Sequence, residues 1–251
     1  MPLIFLFGVA TPMAGTAQNT GKAEDFLTHA EQLRKDAIKK LSPDEAPTAK
    51  AYASPAQFAQ YSWKMGIVTA DFVIGDPHGR NPGSAWDSHW QQHYGGFDDP
   101  NPKSRVQFVP SAFTPRLNPF YVALPYNDVS EGGTRPEAEK VIPWFRSTFR
   151  RAGVSICKDR WVAIRKGGRV AYAQWNDCSP YRSDHWQYVF GRERPAQNPE
   201  HGAGLWVSPA VRDCLGLSSF DVTDWKFVEI AEVPKGPWAE YGTNNPLASS
   251  H

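Results

Sequence analysis

The chain has 251 residues, a formal net charge of +1, 22 prolines and ten tryptophans. This length is ample for a buried core, and the near-zero charge argues against nucleic acid or an anionic membrane surface as a partner. No stretch after the N-terminus is long and apolar enough to span a bilayer, so we expect no transmembrane anchor. Most tryptophans are expected in the core, although aromatic side chains also line sugar-binding surfaces.

The N-terminal residues 1–17 form an apolar run followed by small residues, which is typical of a secretory signal peptide. No basic residue precedes the run, and a buried N-terminal strand is the alternative. We therefore expect export, to the periplasm or the medium. Residues 18–60 are expected to be a helical and linker segment, because 23–41 shows amphipathic helical spacing and 41–55 is rich in Pro, Ala and Ser.

The globular domain is expected at 61–238, followed by a disordered polar tail at 239–251. Its first half holds a strand at 66–75, long loops with a helical turn near 85–93, and a short apolar strand at 120–124. A short helix is expected within 136–151, interrupted by Pro143.

The second half has clearer local signals. Residues 160–175 predict a β-hairpin, with its turn at Gly167 and Gly168. Residues 208–216 predict a short helix, in which Ser208 is the N-cap, Pro209 is the first helical residue and Gly216 ends the helix. A last strand is expected at 225–230.

Three cysteines allow one disulfide and one remaining thiol in an exported chain. We favour pairing Cys157 with Cys178, because the two flank the predicted hairpin. The alternative is that no disulfide forms.

The predicted hairpin runs into Trp175-Asn176-Asp177, and the segment 204–216 and a strand follow. This order of elements resembles the rare lipoprotein A family, whose hairpin leads to an Asn-Asp motif and then to a turn, a short helix and a closing strand. The resemblance covers about 121–230. It implies a mainly β fold, a six-stranded double-psi β-barrel with N-terminal helices and long loop insertions.

Members of that family cleave or bind the glycan strands of peptidoglycan, so the resemblance implies a polysaccharide partner. It places Asp177 at the position of the family's catalytic Asp, where a carboxyl with a raised pKa would act as general acid or base. The family's His on the preceding strand is missing, and Asp128 is the nearest titratable substitute. Asp177 and Asp128 are therefore the predicted catalytic pair, since glycoside hydrolysis commonly uses two carboxyl groups.

The chain departs from the family pattern at two positions: Ser179 replaces a family Gly, and Trp206 replaces a family Asp. The missing His and Trp206 favour sugar stacking over cleavage. Asp177 has a structural alternative as well, capping a loop through backbone N–H groups. His185 either replaces the missing family His or lies in a surface loop. The predicted substrate-binding residues are Tyr126, Asn127, Trp175, Asn176, Tyr181, His185 and Trp206.

His89 and His93 have the spacing of two metal ligands on a helix, but no Glu follows His89 as in zinc proteases. No metal site and no cofactor are predicted. Three functions stay open: a cell-wall enzyme of the lytic-transglycosylase type, a non-catalytic expansin-like glycan-binding module, and a structural barrel with a protein partner.

Overall fold

A computed structural model describes residues 61–75, 83–178 and 181–248 of the chain. The predicted signal peptide at 1–17 and the helical and linker segment at 18–60 lie outside these ranges. None of the helices in the described ranges is long and apolar enough to cross a membrane.

The described chain is mainly β and contains a closed barrel of six strands, which confirms the predicted fold class. Around the barrel the strands follow one another in the order β1-β6-β3-β4-β2-β5. The barrel strands are β1 Lys64–Asp71, β2 Tyr121–Leu124, β3 Arg160–Lys166, β4 Arg169–Cys178, β5 Leu205–Val207 and β6 Phe220–Phe227.

The strand pairing has an internal two-fold pattern. Strands β4 and β2 run parallel, as do β1 and β5, and the other four pairs are antiparallel. Let each strand of the first half correspond to the strand three places later in the chain: β1 to β4, β2 to β5 and β3 to β6. Every neighbouring pair of strands then corresponds to a neighbouring pair that runs in the same relative direction. The barrel therefore consists of two interleaved halves, as expected for a double-psi arrangement.

Five short helices and several turns connect the barrel strands in the described ranges. The helices are α1 Trp90–Tyr94, α2 Ala138–Val141, α3 Phe145–Thr148, α4 Trp186–Val189 and α5 Pro209–Leu215. Single 3-10 turns lie at Pro102–Ser104, Ile230–Glu232 and Pro237–Ala239. Two-residue ladders pair Arg105–Val106 with Val109–Pro110 and Val129–Ser130 with Gly133–Thr134. Pro143 separates α2 from α3, as its lack of an N–H predicts.

The barrel interior is packed with aromatic side chains. Trp175, Trp225 and Phe227 are buried there, and their rings contact Phe190 and Trp144 from the connecting segments. Seven of the ten tryptophans are buried, at Trp90, Trp144, Trp161, Trp175, Trp206, Trp225 and Trp238. Tryptophan therefore serves mainly to fill the core, and few rings remain for a ligand.

The predicted hairpin and the predicted capped helix are both confirmed. Lys166 pairs with Arg169 across a two-residue turn, in which Gly167 adopts a φ of 56° that favours glycine. The Ser208 side chain accepts a hydrogen bond from the Val211 N–H, and Gly216 ends α5 with a φ of 67°.

Strand β6 begins five residues before the predicted strand at 225–230. The start of the strand was missed because its apolar residues face outward and a polar residue faces inward. Phe220 and Val222 are about half exposed, whereas Thr223 is buried. The Thr223 hydroxyl is 2.7 Å from the hydroxyl of Thr69 on β1, so the two buried hydroxyl groups are hydrogen-bonded to each other.

Residues 239–248 pack against the barrel domain. The Asn245 side chain is buried and donates to the carbonyl groups of Trp238 and Tyr241, and the Thr243 N–H donates to the Arg116 carbonyl. These residues therefore belong to the folded unit rather than to the disordered tail predicted for 239–251. Composition missed them because amide hydrogen bonds hold much of the segment, and only Ala239 and Leu247 add apolar contacts with the core.

Candidate functional site

A β-bulge positions the motif Trp175-Asn176-Asp177. Val122 on β2 is opposite Trp175, and the next residue, Ala123, is opposite Asp177, so Asn176 is the extra residue of the bulge. Bulges redirect neighbouring side chains and are common near functional sites. Here Trp175 points into the core, and Asp177 aligns with Ala123 on β2 and Trp206 on β5. We call these three residues the Asp177 row.

The Asp177 carboxylate is 1% exposed and is tied to backbone N–H groups. Its Oδ1 accepts hydrogen bonds from the Ala85 N–H at 2.7 Å and from the Cys178 N–H at 2.8 Å. The segment around Ala85 is fixed in turn, because the Ser84 hydroxyl donates to the Asn176 carbonyl. This is the loop-capping geometry that the sequence offered as the alternative to catalysis.

Asp128 is equally enclosed, at 1% exposed. Its Oδ1 accepts from the Ser155 hydroxyl at 2.5 Å, and its Oδ2 accepts from the Ile156 N–H at 2.7 Å. Asp177 and Asp128 both help to raise the pKa of the buried Cys178 thiol, after the larger effect of burial itself. The two carboxylates therefore lie near one thiol inside the protein, where each anchors a different segment of backbone.

Four of the seven predicted substrate-binding residues lie on β4 or just after β2: Trp175 and Asn176 on β4, and Tyr126 and Asn127 after the end of β2. Tyr126 and Trp175 are fully buried in the core, and burial raises the pKa of the Tyr126 phenol. The Asn127 side chain accepts from the Trp86 indole N–H at 2.7 Å and from the Val129 N–H. Asn176 is 2% exposed.

Asn176 stands out because neither atom of its buried side-chain amide has a hydrogen-bond partner among the described residues. An unsatisfied buried polar group costs about 1–3 kcal/mol. Such a group beside a bulge is therefore expected to hold a water molecule or a polar group of a ligand.

The other three predicted residues, Tyr181, His185 and Trp206, line one cavity of about 120 Å³, which we call the Tyr181 pocket. It lies where β2 ends, at Pro125. Its wall also carries the polar side chains of Arg182, Gln197 and Asn198. The structure thus brings together residues that are 25 positions apart in the chain, and it separates them from the two predicted catalytic carboxylates, which do not line this pocket.

Glu200 connects the two aromatic residues of the Tyr181 pocket. The Trp206 indole N–H donates to one of its carboxylate oxygens, and the Tyr181 hydroxyl is 3.4 Å from the other. Trp206 itself is 2% exposed and packs on Ala70, Ala123 and Ala203, whereas Tyr181 is 39% exposed. Sequence reasoning missed Glu200, because no recognisable motif surrounds it in the loop between α4 and β5.

His185 lies beside the end of β2, in the wall of the Tyr181 pocket. The backbone N–H of His185 donates to the Pro125 carbonyl, which fixes the residue at the end of β2. The ring is 4% exposed in all, its Nε2 lies 3.3 Å from Glu193, and its Nδ1 is buried with no partner among the described residues. A ligand hydroxyl in the pocket would relieve that unsatisfied nitrogen.

The predicted Cys157–Cys178 disulfide is absent from the structure, where all three cysteines are free thiols. The Cys178 thiol donates to the Tyr126 carbonyl at 3.2 Å, so it is directed at the backbone of the β2 end. Burial raises the pKa of the Cys157 thiol, and the nearby Asp128 carboxylate raises it further.

His89 and His93, the residues weighed as metal ligands, have ring centroids 6.3 Å apart. His93 is instead 2.7 Å from Asp87, through its Nδ1.

Comparison of the chain with known proteins found no match. No family model matches it, and no curated protein does.

Proposed function

We propose that this protein is an exported glycan-binding barrel, which holds a cell-wall polysaccharide at the Tyr181 pocket and does not cleave it. The observation that carries the proposal is the convergence of Tyr181, His185 and Trp206 on one cavity with the amides of Gln197 and Asn198. Sugar sites commonly combine an aromatic face with a few polar groups that fix orientation. The resemblance to the rare lipoprotein A family supports peptidoglycan as the polysaccharide.

Binding is favoured over cleavage because of the state of the two predicted catalytic carboxylates. A general acid must come within hydrogen-bond reach of the glycosidic oxygen. Asp177 and Asp128 are each 1% exposed and already accept hydrogen bonds from backbone N–H groups. Reaching a sugar would require both anchored segments to move.

A second candidate is a glycan-cleaving enzyme that uses a different carboxyl group. Glu200 favours it, because this carboxylate bonds to two residues that line the pocket. In that case Glu200 would be the acid, and His185, which lines the same pocket, the base.

Incubation with purified peptidoglycan sacculi separates the two candidates. The wild type, Tyr181→Ala, Glu200→Gln and Asp177→Asn are compared by pelleting and by release of soluble muropeptides. Tyr172→Ala is the matched control, since Tyr172 is also partly exposed but packs on Trp238 and does not line the pocket. For a binder we expect pelleting without release, and about tenfold weaker pelleting for Tyr181→Ala, the equivalent of one lost stacking contact.

Pelleting by Tyr181→Ala at the wild-type level would contradict the pocket as the binding site. Release by the wild type that Glu200→Gln abolishes would establish the second candidate. Release that only Asp177→Asn abolishes would restore Asp177 as the catalytic acid.

A further inference from the structure

A second cavity, of about 270 Å³, lies between β1, β6 and the residues that follow α4. Trp225 and Phe227 of β6 form part of its wall, together with Phe190. None of the predicted site residues lines it. We call it the Lys64 cavity, after the residue of β1 that it contains.

The charges at the Lys64 cavity all have one sign. Lys64, Arg192 and Lys226 line it, and no Asp or Glu does so. None of these three cations forms an ion pair among the described residues. Two carboxylates lie near the cavity residues in sequence, and each already forms an ion pair elsewhere. Asp224 on β6 pairs with Arg165, and Glu229 after β6 pairs with Arg160. The cavity therefore has a local positive charge that the described part of the chain does not neutralise.

Lys64 is held without a counter-charge. Its Nζ donates to the Gly191 carbonyl at 2.8 Å and lies 5.4 Å from the ring centroid of Tyr188 and 5.6 Å from that of Trp225. Burial lowers the pKa of Lys64 to about 8. A carbonyl group and two aromatic faces compensate an ammonium group only in part, and an anion nearby would stabilise it further.

We propose that the Lys64 cavity is a second ligand site, which binds an oxyanion, a carboxylate or a phosphate, carried on a sugar ring. The oxyanion pairs with Lys64 and Arg192, and the ring packs on the partly buried rings of Tyr61 and Phe190, which also line the cavity. These two aromatic side chains explain why the ligand is an anionic sugar rather than a bare ion, because they supply a face for a ring. The site does not depend on glycan binding at the Tyr181 pocket.

Calorimetric titration of the full chain with glucuronate, glucose 6-phosphate and neutral glucose, at low ionic strength, tests the proposal. We expect at least one anionic sugar to bind, and the comparison of the two tells a carboxylate site from a phosphate site. Lys64→Met keeps the apolar stem and removes the charge, so binding should weaken about tenfold, the usual effect of losing one close charge partner. Lys64→Arg should retain most of the affinity.

Lys103→Met is the matched control, because Lys103 lies in an exposed 3-10 turn and does not line the cavity. The affinity of Lys103→Met for the anionic sugar should equal that of the wild type. Should Lys64→Met fail to fold, as judged by circular dichroism, Arg192→Met in the exposed loop gives the same readout. The proposal is overturned if glucose binds as tightly as the anionic sugars, or if removal of the cavity's cations leaves affinity unchanged.

Discussion

Trp206 and Asp177 stand on either side of Ala123 in the Asp177 row, since Ala123 is the register partner of both. This row places an indole beside a single carboxylate, with one small residue between them. The side chain of Trp206 therefore belongs to the neighbourhood of Asp177 itself, and not to a remote part of the barrel.

Replacing Trp206 with Asp is expected to destabilise the protein strongly. The indole packs on Ala70, Ala123 and Ala203, and a carboxylate in its place would be buried beside Glu200. Loss of a large buried aromatic side chain costs about 3–5 kcal/mol. Trp206→Phe keeps an apolar ring and should cost clearly less. Urea unfolding of both variants measures the difference, and equal midpoints for Trp206→Asp and the wild type would refute this packing role.

Asp177→Ala should lower stability by about 1–3 kcal/mol, because it leaves the N–H groups of Ala85 and Cys178 without their acceptor. Asp177→Asn retains a carbonyl oxygen that can accept both bonds, so it should cost less. Denaturant unfolding gives the two values. A loss for Asp177→Asn as large as that for Asp177→Ala would show that the negative charge, rather than the acceptor, is what the loop requires.

Lys64 should make stability depend on pH in the alkaline range. Its pKa is about 8 in the folded protein and 10.5 ordinarily, so between these values the unfolded chain binds the proton more tightly. The contribution of Lys64 to stability is therefore least favourable below pH 8 and rises as the pH increases towards 10.5. Arg192 and Lys226 face the same cavity.

The measurement is the difference in unfolding free energy between the wild type and Lys64→Met, followed from pH 7 to pH 10. The unfolding free energy of the wild type should increase relative to that of Lys64→Met as the pH rises. A difference that is constant with pH, or that changes in favour of the variant, would mean that Lys64 keeps its ordinary pKa in the folded state.

The three thiols should differ in reactivity. Cys157 and Cys178 are buried, and burial raises the pKa of both, whereas Cys214 is only partly buried. A thiol reagent added to the reduced native protein should label Cys214 first, with all three labelled after unfolding. Mass spectrometry of the labelled peptides gives the order. Air-oxidised protein in which only Cys214 reacts after unfolding would instead demonstrate the disulfide predicted from the sequence.

Local signals made part of this fold predictable. The hairpin of β3 and β4 and the helix α5 depend on turn and cap residues that are adjacent in the chain, such as Gly167, Ser208 and Gly216. The parallel pairs of β2 with β4 and of β1 with β5 join strands that are far apart in sequence, and no local pattern encodes them. Only the resemblance to a known family suggested the closed barrel.

The candidate site was predictable only in part, for a related reason. The sequence identified Tyr181, His185 and Trp206 individually, but the contact of the 84–86 segment with Asp177 depends on how a long loop folds over the barrel. That contact decides whether the carboxylate is reachable. Glu200 was missed because its importance arises from two partners, Tyr181 and Trp206, that lie on other parts of the chain.

The interleaving of the two barrel halves limits how this chain can be made. Strand β3 has β6 as one of its two neighbours, and β2 has β5, so neither half can complete its own hydrogen bonding. During synthesis on the ribosome the barrel cannot close until Phe227 has left the exit tunnel. A stop codon before β6 would leave β1 and β3 with open edges, and the released fragment should aggregate rather than survive as a smaller domain.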